Sequence, residues 1–259
     1  MVLVNINKQK ERKQMNQEIV ISKLNELKLE GFKTAYIRQL EDRNYDKLSF
    51  NEKLYNLLET QEIFQHNKKI QMNSRLSKIK DKQASLEELE YKATRGLDKD
   101  QILSLANMDF IRNYQNLIIT GKTGTGKSYL AQAFANKSIV DGFKAYYIRV
   151  PLLLETIAIA RADGTYTNFL RKLAKFNLLI LDDFGINPLS ADDATNLLEI
   201  IEDRVNLSSV IITSQLPVSK WYEYLNNDTV ADAILDRIVY SSHRIELKGD
   251  SMRKIMSKI

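Results

Sequence analysis

A glycine-rich stretch near the middle of the chain constrains its fold more than any other feature. The segment Gly121–Ser128 reads Gly-Lys-Thr-Gly-Thr-Gly-Lys-Ser, which fits the pattern G-x-x-x-x-G-K-[ST]. It follows the apolar run Asn116–Thr120 and precedes the helix-like run Tyr129–Ala135. In such a strand–loop–helix unit, backbone N–H groups and the positive helix end surround a phosphate. The sequence therefore predicts a nucleotide-binding loop, with an ordinary glycine-rich turn as the alternative.

The predicted ligand of this loop is ATP with Mg²⁺. Lys127 is expected to reach the β- and γ-phosphates, and the hydroxyl of Ser128 is expected to ligate Mg²⁺. The residues predicted to bind the nucleotide are Gly121, Lys122, Thr123, Gly124, Thr125, Gly126, Lys127, Ser128 and Tyr129.

Two acidic residues follow a second apolar run. Leu178–Leu181 is predicted to be a buried strand, and Asp182 and Asp183 come directly after it. Open α/β sheets bind ligands at the carboxyl ends of their strands. We expect Asp182 to hold Mg²⁺ and Asp183 to orient the attacking water, which predicts ATP hydrolysis.

A third polar group follows the predicted strand Val210–Thr213. A hydroxyl or amide at this position would lie beside the γ-phosphate and could sense or position it. We expect Ser214 to fill this role, and its neighbours Thr213 and Gln215 remain alternatives.

An arginine near the end of the chain is expected to complete the site of a neighbouring copy. Arg237 lies in a short amphipathic run, and its planar, permanent charge suits the spread charge of a phosphoryl-transfer transition state. The alternative is a surface ion pair with Asp232 or Asp236. The second choices for this role are Arg204 and Arg244.

The apolar pattern divides the chain into a helical part and an α/β part. In the helical part, Gly31 is expected to end a helix, and Ser49 with Glu52 forms the spacing of a capping box. From Tyr91 onward, predicted strands alternate with predicted helices, which is typical of a parallel sheet. The predicted divisions are a helical domain over 1–64, a basic helical linker over 65–90 and an ATPase core over 91–259.

The linker is rich in basic residues, and the chain carries a net charge of +5. The linker is either a solvated helix or a contact for the phosphates of DNA. Its basic residues are Lys68, Lys69, Arg75, Lys78, Lys80 and Lys82, and further candidate DNA contacts are Arg161, Arg171, Lys172 and Lys175.

Composition excludes several other classes of protein. The absence of cysteine excludes disulfides and thiolate metal sites, and it predicts a cytoplasmic protein. The two histidines, His66 and His243, are too far apart in sequence to suggest a histidine metal site. No apolar run approaches the roughly 18 residues that a membrane-spanning helix needs, so no membrane partner is expected.

The motifs, taken in order, resemble those of IstB-type transposition helper ATPases, which are AAA+ proteins related to DnaC-type helicase loaders. The resemblance extends over nearly the whole chain. The stretches that carry it are Leu48–Glu52, Arg95–Asp98, the Gly121–Ser128 loop, Leu179–Gly185, Ile212–Pro217, Leu235–Ile238 and Arg244–Lys254.

This resemblance implies an AAA+ P-loop NTPase core with a truncated or absent lid and a small all-α N-terminal domain. It also implies a homo-oligomer that forms with ATP on duplex DNA, bends the DNA, and recruits an IstA-type DDE transposase. Two departures from the pattern are Asp183 in place of a glutamate and the absence of the usual sensor asparagine. Arg253 is considered as a remnant second sensor.

Two other functions remain open at this point. A helicase loader would bind single-stranded DNA, for which Tyr146, Tyr147 and Tyr166 could provide stacking surfaces, although core packing is the simpler explanation for the first two. A small-molecule P-loop kinase would need neither the helical N-terminal part nor an arginine from a neighbouring copy.

Overall fold

Residues 15–91, 93–252 and 254 are described by a computed structural model. They form a helical unit and an α/β unit, which are separated between Gln71 and Met72, inside the predicted linker. Arg253, the candidate second sensor, lies outside the described residues. None of the helices in the described ranges is long and apolar enough to cross a membrane.

The N-terminal unit consists of helices. Helix α1 covers residues 15–26, α2 covers Glu30–Glu41, and α3 begins at Phe50 and ends at Leu76. The capping box at the start of α3 is confirmed, because the N–H of Ser49 donates to Glu52 Oε2 at 2.7 Å and the N–H of Glu52 donates to Ser49 Oγ at 3.3 Å. The local sequence therefore sets the start of the longest helix.

The prediction that Gly31 ends a helix is wrong. Gly31 lies in the first turn of α2 and is buried, whereas the left-handed residue after α1 is Lys28, with φ of 57°. A Cβ at Gly31 would lie 2.8 Å from the carbonyl oxygen of Thr60 and 2.6 Å from Cβ of Phe64, both in α3. Glycine at this position therefore permits the close approach of two helices instead of a turn.

The predicted basic linker is helical only as far as Leu76, and residues 77–90 form turns and irregular structure. Lys78 has φ of 58°, a left-handed conformation that ends the helix. The N–H groups of Lys80 and Asp81 both donate to Gln132 Oε1, at 3.0 and 2.9 Å. These bonds to a distant side chain replace the bonds that a continued helix would supply.

The α/β unit contains a five-stranded parallel sheet in the order β2-β3-β4-β1-β5. The predicted strands and the alternation with helices are confirmed. The strands are β1 (Asn116–Gly121), β2 (Ala145–Arg149), β3 (Leu178–Phe184), β4 (Ser209–Ser214) and β5 (Ser242–Leu247). The helices are α4 (Lys99–Leu105), α5 (Asp109–Arg112), α6 (Lys127–Val140), α7 (Val150–Ala162), α8 (Tyr166–Leu173), α9 (Ala191–Glu202), α10 (Trp221–Leu225) and α11 (Asp228–Val239).

The sheet forms the centre of the core. The central strands β1, β3 and β4 are buried over most of their length, as the continuous apolar runs predict for a sheet covered on both faces. Because all five strands are parallel, their carboxyl ends lie along one edge of the sheet. This edge holds the glycine-rich loop after β1 and the acidic pair at the end of β3.

Candidate functional site

The glycine-rich loop joins β1 to α6, as predicted. Gly124 has φ of 82° and Gly126 has φ of 99°, values that favour glycine. Lys127 opens α6, and its Nζ donates to the carbonyl oxygens of Gly121 at 2.7 Å and Lys122 at 2.9 Å. Its ammonium group therefore lies inside the curve of the loop, which is where a phosphate chain would be held.

The Lys127 side chain is nearly buried, with 8% of the residue exposed. Burial lowers the pKa of Lys127, and the negative charges of Asp182 and Asp183 oppose this shift. The two carboxylates favour the charged form of the lysine, and an ammonium group that is short of solvent interacts strongly with an anion.

Asp182 is the most densely hydrogen-bonded acid of the site. Its Oδ1 accepts from the hydroxyl of Ser128 at 2.9 Å and from the hydroxyl of Thr213, while its Oδ2 accepts from the hydroxyl of Tyr147. These hydroxyls come from α6, β4 and β2, so three elements converge on one carboxylate. The Ser128 and Asp182 oxygens are hard ligands of the kind that Mg²⁺ prefers. Their proximity fits the prediction that these two residues bind one Mg²⁺ ion.

Asp183 adopts a left-handed conformation, with φ of 63°, where the pairing of β3 with β4 shifts register. Its N–H donates to Thr213 Oγ1 at 3.1 Å, and its Oδ2 lies 2.6 Å from Nε of Arg149. The hydrogen bond and charge of Asp183 raise the pKa of Arg149. The carboxylate is thus turned toward the end of β2 and is partly exposed, with a cation as its partner.

Ser214, the residue that we expected to face the γ-phosphate, faces other atoms. Its hydroxyl donates to the carbonyl oxygen of Phe184 at 2.7 Å and accepts from the N–H of Leu216 at 3.1 Å, and the residue is fully buried. Side chains alternate along a strand, so the neighbours of Ser214 point the other way. Thr213 contacts Asp182, and Gln215 Oε1 accepts from the hydroxyl of Thr123 in the loop at 2.6 Å.

Tyr129 contributes to the site only through its position in the first turn of α6. Its hydroxyl accepts from the N–H of Ser85 at 3.2 Å and lies 3.2 Å from Glu88 Oε2. The ring therefore contacts the segment before the sheet. The predicted contact of Tyr129 with the nucleotide would therefore be made by its backbone and not by its side chain.

Arg237 lies at the opposite edge of the sheet from the loop. Its carbonyl oxygen accepts from Asn116 Nδ2 at 3.3 Å, and Asn116 is the first residue of β1. Its guanidinium donates to Glu202 Oε1 at 2.8 Å and to the carbonyl oxygen of Ala233 at 2.9 Å. An ion pair is thus present, but its partner is Glu202 instead of the predicted Asp232 or Asp236.

The two second choices for the arginine role differ in exposure. Arg204 is buried and donates to the carbonyl oxygens of Leu173, Phe176 and Ser209, at 3.2, 2.9 and 3.2 Å. Burial lowers the pKa of Arg204 to about 10. Arg204 therefore cannot reach a neighbouring copy, and this prediction is wrong. Arg244 is exposed on β5.

The candidate DNA contacts are exposed, but Arg161 and Lys82 are also hydrogen-bonded within the protein, and Lys82 Nζ donates to Ser74 Oγ at 3.2 Å. Arg161 donates to Asn196 Oδ1 at 3.0 and 2.6 Å, and its guanidinium lies 3.8 Å from the ring centroid of Tyr166. Tyr166 in turn donates to Glu199 at 2.6 Å. The other basic candidates are exposed and comprise Lys68, Lys69, Arg75, Lys78, Lys80, Arg171, Lys172 and Lys175.

The end of the described chain contacts the loop directly. The N–H of Met252 donates to the carbonyl oxygen of Gly124 at 2.8 Å, and a Cβ at Gly124 would lie 2.2 Å from Ser251 Oγ. Arg95 Nη2 lies 3.4 Å from the carbonyl oxygen of Thr125. Segments that are distant in sequence thus flank the loop on the side away from the acidic pair.

Sequence reasoning missed three groups of the site, namely the Tyr147 hydroxyl, the Arg149 guanidinium and the segment around Ser251. The signal for the first two was available in part. Tyr147 and Arg149 are two residues apart at the end of β2, so they lie on the same face of that strand. The missing information was that β2 pairs with β3, with Arg149 opposite Asp182.

A parallel sheet, a phosphate-type loop between β1 and α6, and a carboxylate that binds the loop serine define a P-loop protein. The chain belongs to the family described as IstB-like ATP binding protein, whose model matches residues 22–258.

Similar proteins are named as ATP-binding proteins of insertion sequences. A Sinorhizobium fredii protein named as insertion sequence ATP-binding protein y4pL is 42% identical over 90% of this chain and 95% of its own length. The ATP-binding protein of insertion sequence IS1162 from Pseudomonas fluorescens is 38% identical over 79% of this chain and 89% of its own. The crystal structure of the DnaC helicase loader matches in fold, with a TM-score of 0.53 and 22% identity, over 64% of this chain and 97% of that one.

Proposed function

We propose that this protein binds MgATP and hydrolyses it, as the motor of a DNA transposition complex. The observation that carries the proposal is the 2.9 Å hydrogen bond between Ser128 Oγ and Asp182 Oδ1, beside the ammonium group of Lys127. Two oxygen ligands, one from the start of α6 and one from β3, lie beside the loop lysine, and together they meet the requirements of a triphosphate and its metal ion. Membership of an ATP-binding family supports the same ligand.

Asp183 is the residue that we assign to the attacking water. It follows the metal carboxylate directly and is partly exposed, so water can reach it. Lys127 and the metal ion would neutralise the phosphate oxygens, and Thr213 or Gln215 would sense the γ-phosphate in place of Ser214. The product would be ADP and phosphate.

We assign Arg237 to the ATP site of a neighbouring copy. It lies beside Asn116, and the loop begins at the other end of β1, a six-residue strand. Such a strand is about 17–20 Å long, so the side chain of Arg237 cannot span the distance to the ATP site of its own chain. A role in hydrolysis therefore requires a homo-oligomer in which the arginine edge of one copy meets the loop edge of the next.

The DNA-binding proposal rests on charge and on anchoring. Lys78 and Lys80 are exposed, and their segment is fixed to α6 by Gln132 and by Asn136, whose Nδ2 donates to the carbonyl oxygens of Asp81 and Ala84. Helix α6 begins at the loop lysine, so the basic segment is attached to the element that holds the nucleotide. Phosphate contacts of this kind would bind duplex DNA with little sequence preference.

The insertion-sequence names of the relatives favour a DDE transposase of the IstA type as the protein partner. The likeness to a helicase loader is one of fold, and helicase loading remains the second candidate function. A preference for single-stranded over duplex DNA would favour the loader.

The test uses purified protein with duplex DNA and ATP or a non-hydrolysable analogue. We expect nucleotide-dependent assemblies on the DNA in electron micrographs, and a hydrolysis rate per protomer that rises with protein concentration and with DNA. Lys127→Ala should abolish both. The matched control Lys144→Ala, which removes an exposed lysine just before β2, should change neither. A protein that stays monomeric with excess ATP and duplex would contradict the proposal.

Separate variants test the chemistry and the DNA contact. Asp183→Asn should assemble but not turn over, whereas Asp192→Asn, at the exposed start of α9, should behave as the parent does. The double variant Lys78→Ala/Lys80→Ala should weaken duplex binding and reduce the slope of log affinity against log salt by about two. An unchanged slope would remove this segment from the DNA interface.

A further inference from the structure

The carboxylate of Asp182 has a hydroxyl donor on each of its two oxygens. Ser128 and Thr213 donate to Oδ1, and both belong to segments in which nucleotide ligands are expected. Tyr147 donates to Oδ2 and belongs to β2, a strand that carries no nucleotide motif. Oδ2 therefore depends on a residue to which neither the motifs nor the proposed mechanism gives a role.

Burial makes this hydroxyl important. Asp182 is 2% exposed and Tyr147 is 6% exposed, so bulk water cannot readily replace a lost donor at Oδ2. A buried carboxylate oxygen without a donor is costly, and the group would rotate to seek another partner. Rotation would carry Oδ1 away from Ser128 and disturb the pair of oxygens at the metal position.

The strand holds Tyr147 firmly in place. Tyr147 lies opposite Ile180 in the register of β2 with β3, so Asp182 is two residues further along on the same face. The backbone N–H of Tyr147 also donates to the carbonyl oxygen of Ser77 at 2.7 Å. Tyr147 is thus held by hydrogen bonds at its backbone and at its hydroxyl group.

We propose that Tyr147 is a positioning residue for Mg²⁺, which sets the rotation of the Asp182 carboxylate so that Oδ1 stays beside the Ser128 hydroxyl. Residues that hydrogen-bond to a metal ligand typically change the metal affinity by about 10- to 100-fold when they are replaced. The inference rests on the MgATP site proposed above. It adds a residue that acts on the metal ion and not on the nucleotide directly.

The preceding residue provides a matched control. Tyr146 lies on the opposite face of β2 and is equally buried, but its ring packs on Phe176, with ring centroids 4.9 Å apart. Tyr146→Phe and Tyr147→Phe remove the same atom from adjacent buried positions. Only the second change removes a donor from Asp182.

The experiment measures the binding of a fluorescent ATP analogue to the full chain as Mg²⁺ is titrated, and again in EDTA. Tyr147→Phe should need about 10- to 100-fold more Mg²⁺ for half-maximal tightening. Its affinity in EDTA should stay within about twofold of the parent value, because the defect acts on the metal ion alone. Tyr146→Phe should match the parent in both measurements, and thermal melting establishes that both variants fold.

A double-mutant cycle identifies the route. On an Asp182→Asn background, Tyr147→Phe should cause no further change in the Mg²⁺ requirement, because the carboxylate that it positions is gone. An equal Mg²⁺ requirement in Tyr147→Phe and parent, or additive effects in the cycle, would overturn the inference while leaving nucleotide binding intact. Failure of the parent to bind the analogue at any Mg²⁺ concentration would instead overturn the proposed function.

Discussion

Arg149 and Asp183 form an ion pair in which Nε of the arginine lies 2.6 Å from Oδ2 of the carboxylate. The pair joins the end of β2 to the residue that we assign to water activation. A carboxylate oxygen that accepts from a guanidinium is less available to accept from an attacking water. The ion pair is therefore expected to restrain hydrolysis until Arg149 moves or finds another partner.

The first prediction follows from this restraint. Arg149→Gln should raise the ATP hydrolysis rate measured without DNA, by a few-fold and up to about tenfold, because it frees the base. The control Arg112→Gln breaks a similar but remote pair, with Asp109, and should leave the rate unchanged. A steady-state phosphate-release assay measures both. A fall in the rate, of the size that Asp183→Asn produces, would mean that Arg149 positions the carboxylate instead.

Local pattern explains what could be predicted of the fold and of the site. The loop, its strand and the acidic pair depend on residues that are adjacent in sequence, so Ser128 and Asp182 could be named in advance and do lie in contact. Contacts that depend on the order of the strands in the sheet could not be predicted from the sequence. The alternation of side chains along β2 does not say which strand lies beside it. Tyr147 and Arg149 were missed for this reason.

The errors at single residues have local physical causes as well. Ser214 was favoured over Thr213 because the exact end of β4, and thus the face of each side chain, could not be read from an apolar run. Gly31 was interpreted as the end of a helix because glycine is common at that position, whereas here it allows two helices to approach. Helix α3 ends at Leu76, before the left-handed Lys78, and a distant side chain, Gln132, accepts from the N–H groups of Lys80 and Asp81.

The second prediction concerns Arg237 and its partner. Arg237→Ala should lower hydrolysis by assembled protein on the order of 10³-fold, because it removes the cation that would face the γ-phosphate of a neighbouring copy. The affinity of the monomer for nucleotide should not change. Glu202→Gln retains the arginine and releases it from its 2.8 Å ion pair, so hydrolysis should be at least that of the parent.

The comparison of these two variants is decisive. Hydrolysis is measured at a protein concentration where assembly on duplex DNA is complete, and nucleotide affinity is measured on dilute protein. Equal losses in Arg237→Ala and Glu202→Gln would mean that the pair only stabilises the fold. Unchanged hydrolysis in Arg237→Ala would remove Arg237 from the mechanism and leave Arg244 as the candidate.

The third prediction concerns the buried guanidinium of Arg204. Arg204→Met should lower the free energy of unfolding by about 2–4 kcal/mol, because three buried carbonyl oxygens lose their donor. Arg171→Met, at an exposed position of α8, should stay within about 0.5 kcal/mol. Urea denaturation followed by circular dichroism measures the difference. Equal stability of both variants would show that the loss of a buried cation compensates for the lost hydrogen bonds.

The fourth prediction concerns Gly31, where two physical effects would change the free energy of unfolding in opposite directions. Helix propensity alone would make Gly31→Ala more stable by about 1 kcal/mol, because alanine favours the helix. A Cβ at this position would instead lie within 2.8 Å of backbone atoms of Thr60 and Gln61, which cannot move without displacing α3. We therefore expect Gly31→Ala to be destabilised by about 1–3 kcal/mol, as overpacked sites are. Thr34→Ala, at an exposed position of the same helix, is the control and should be neutral or slightly stabilising. Urea denaturation of the full chain decides between the two signs, and a more stable Gly31→Ala protein would mean that the two helices can separate at little cost.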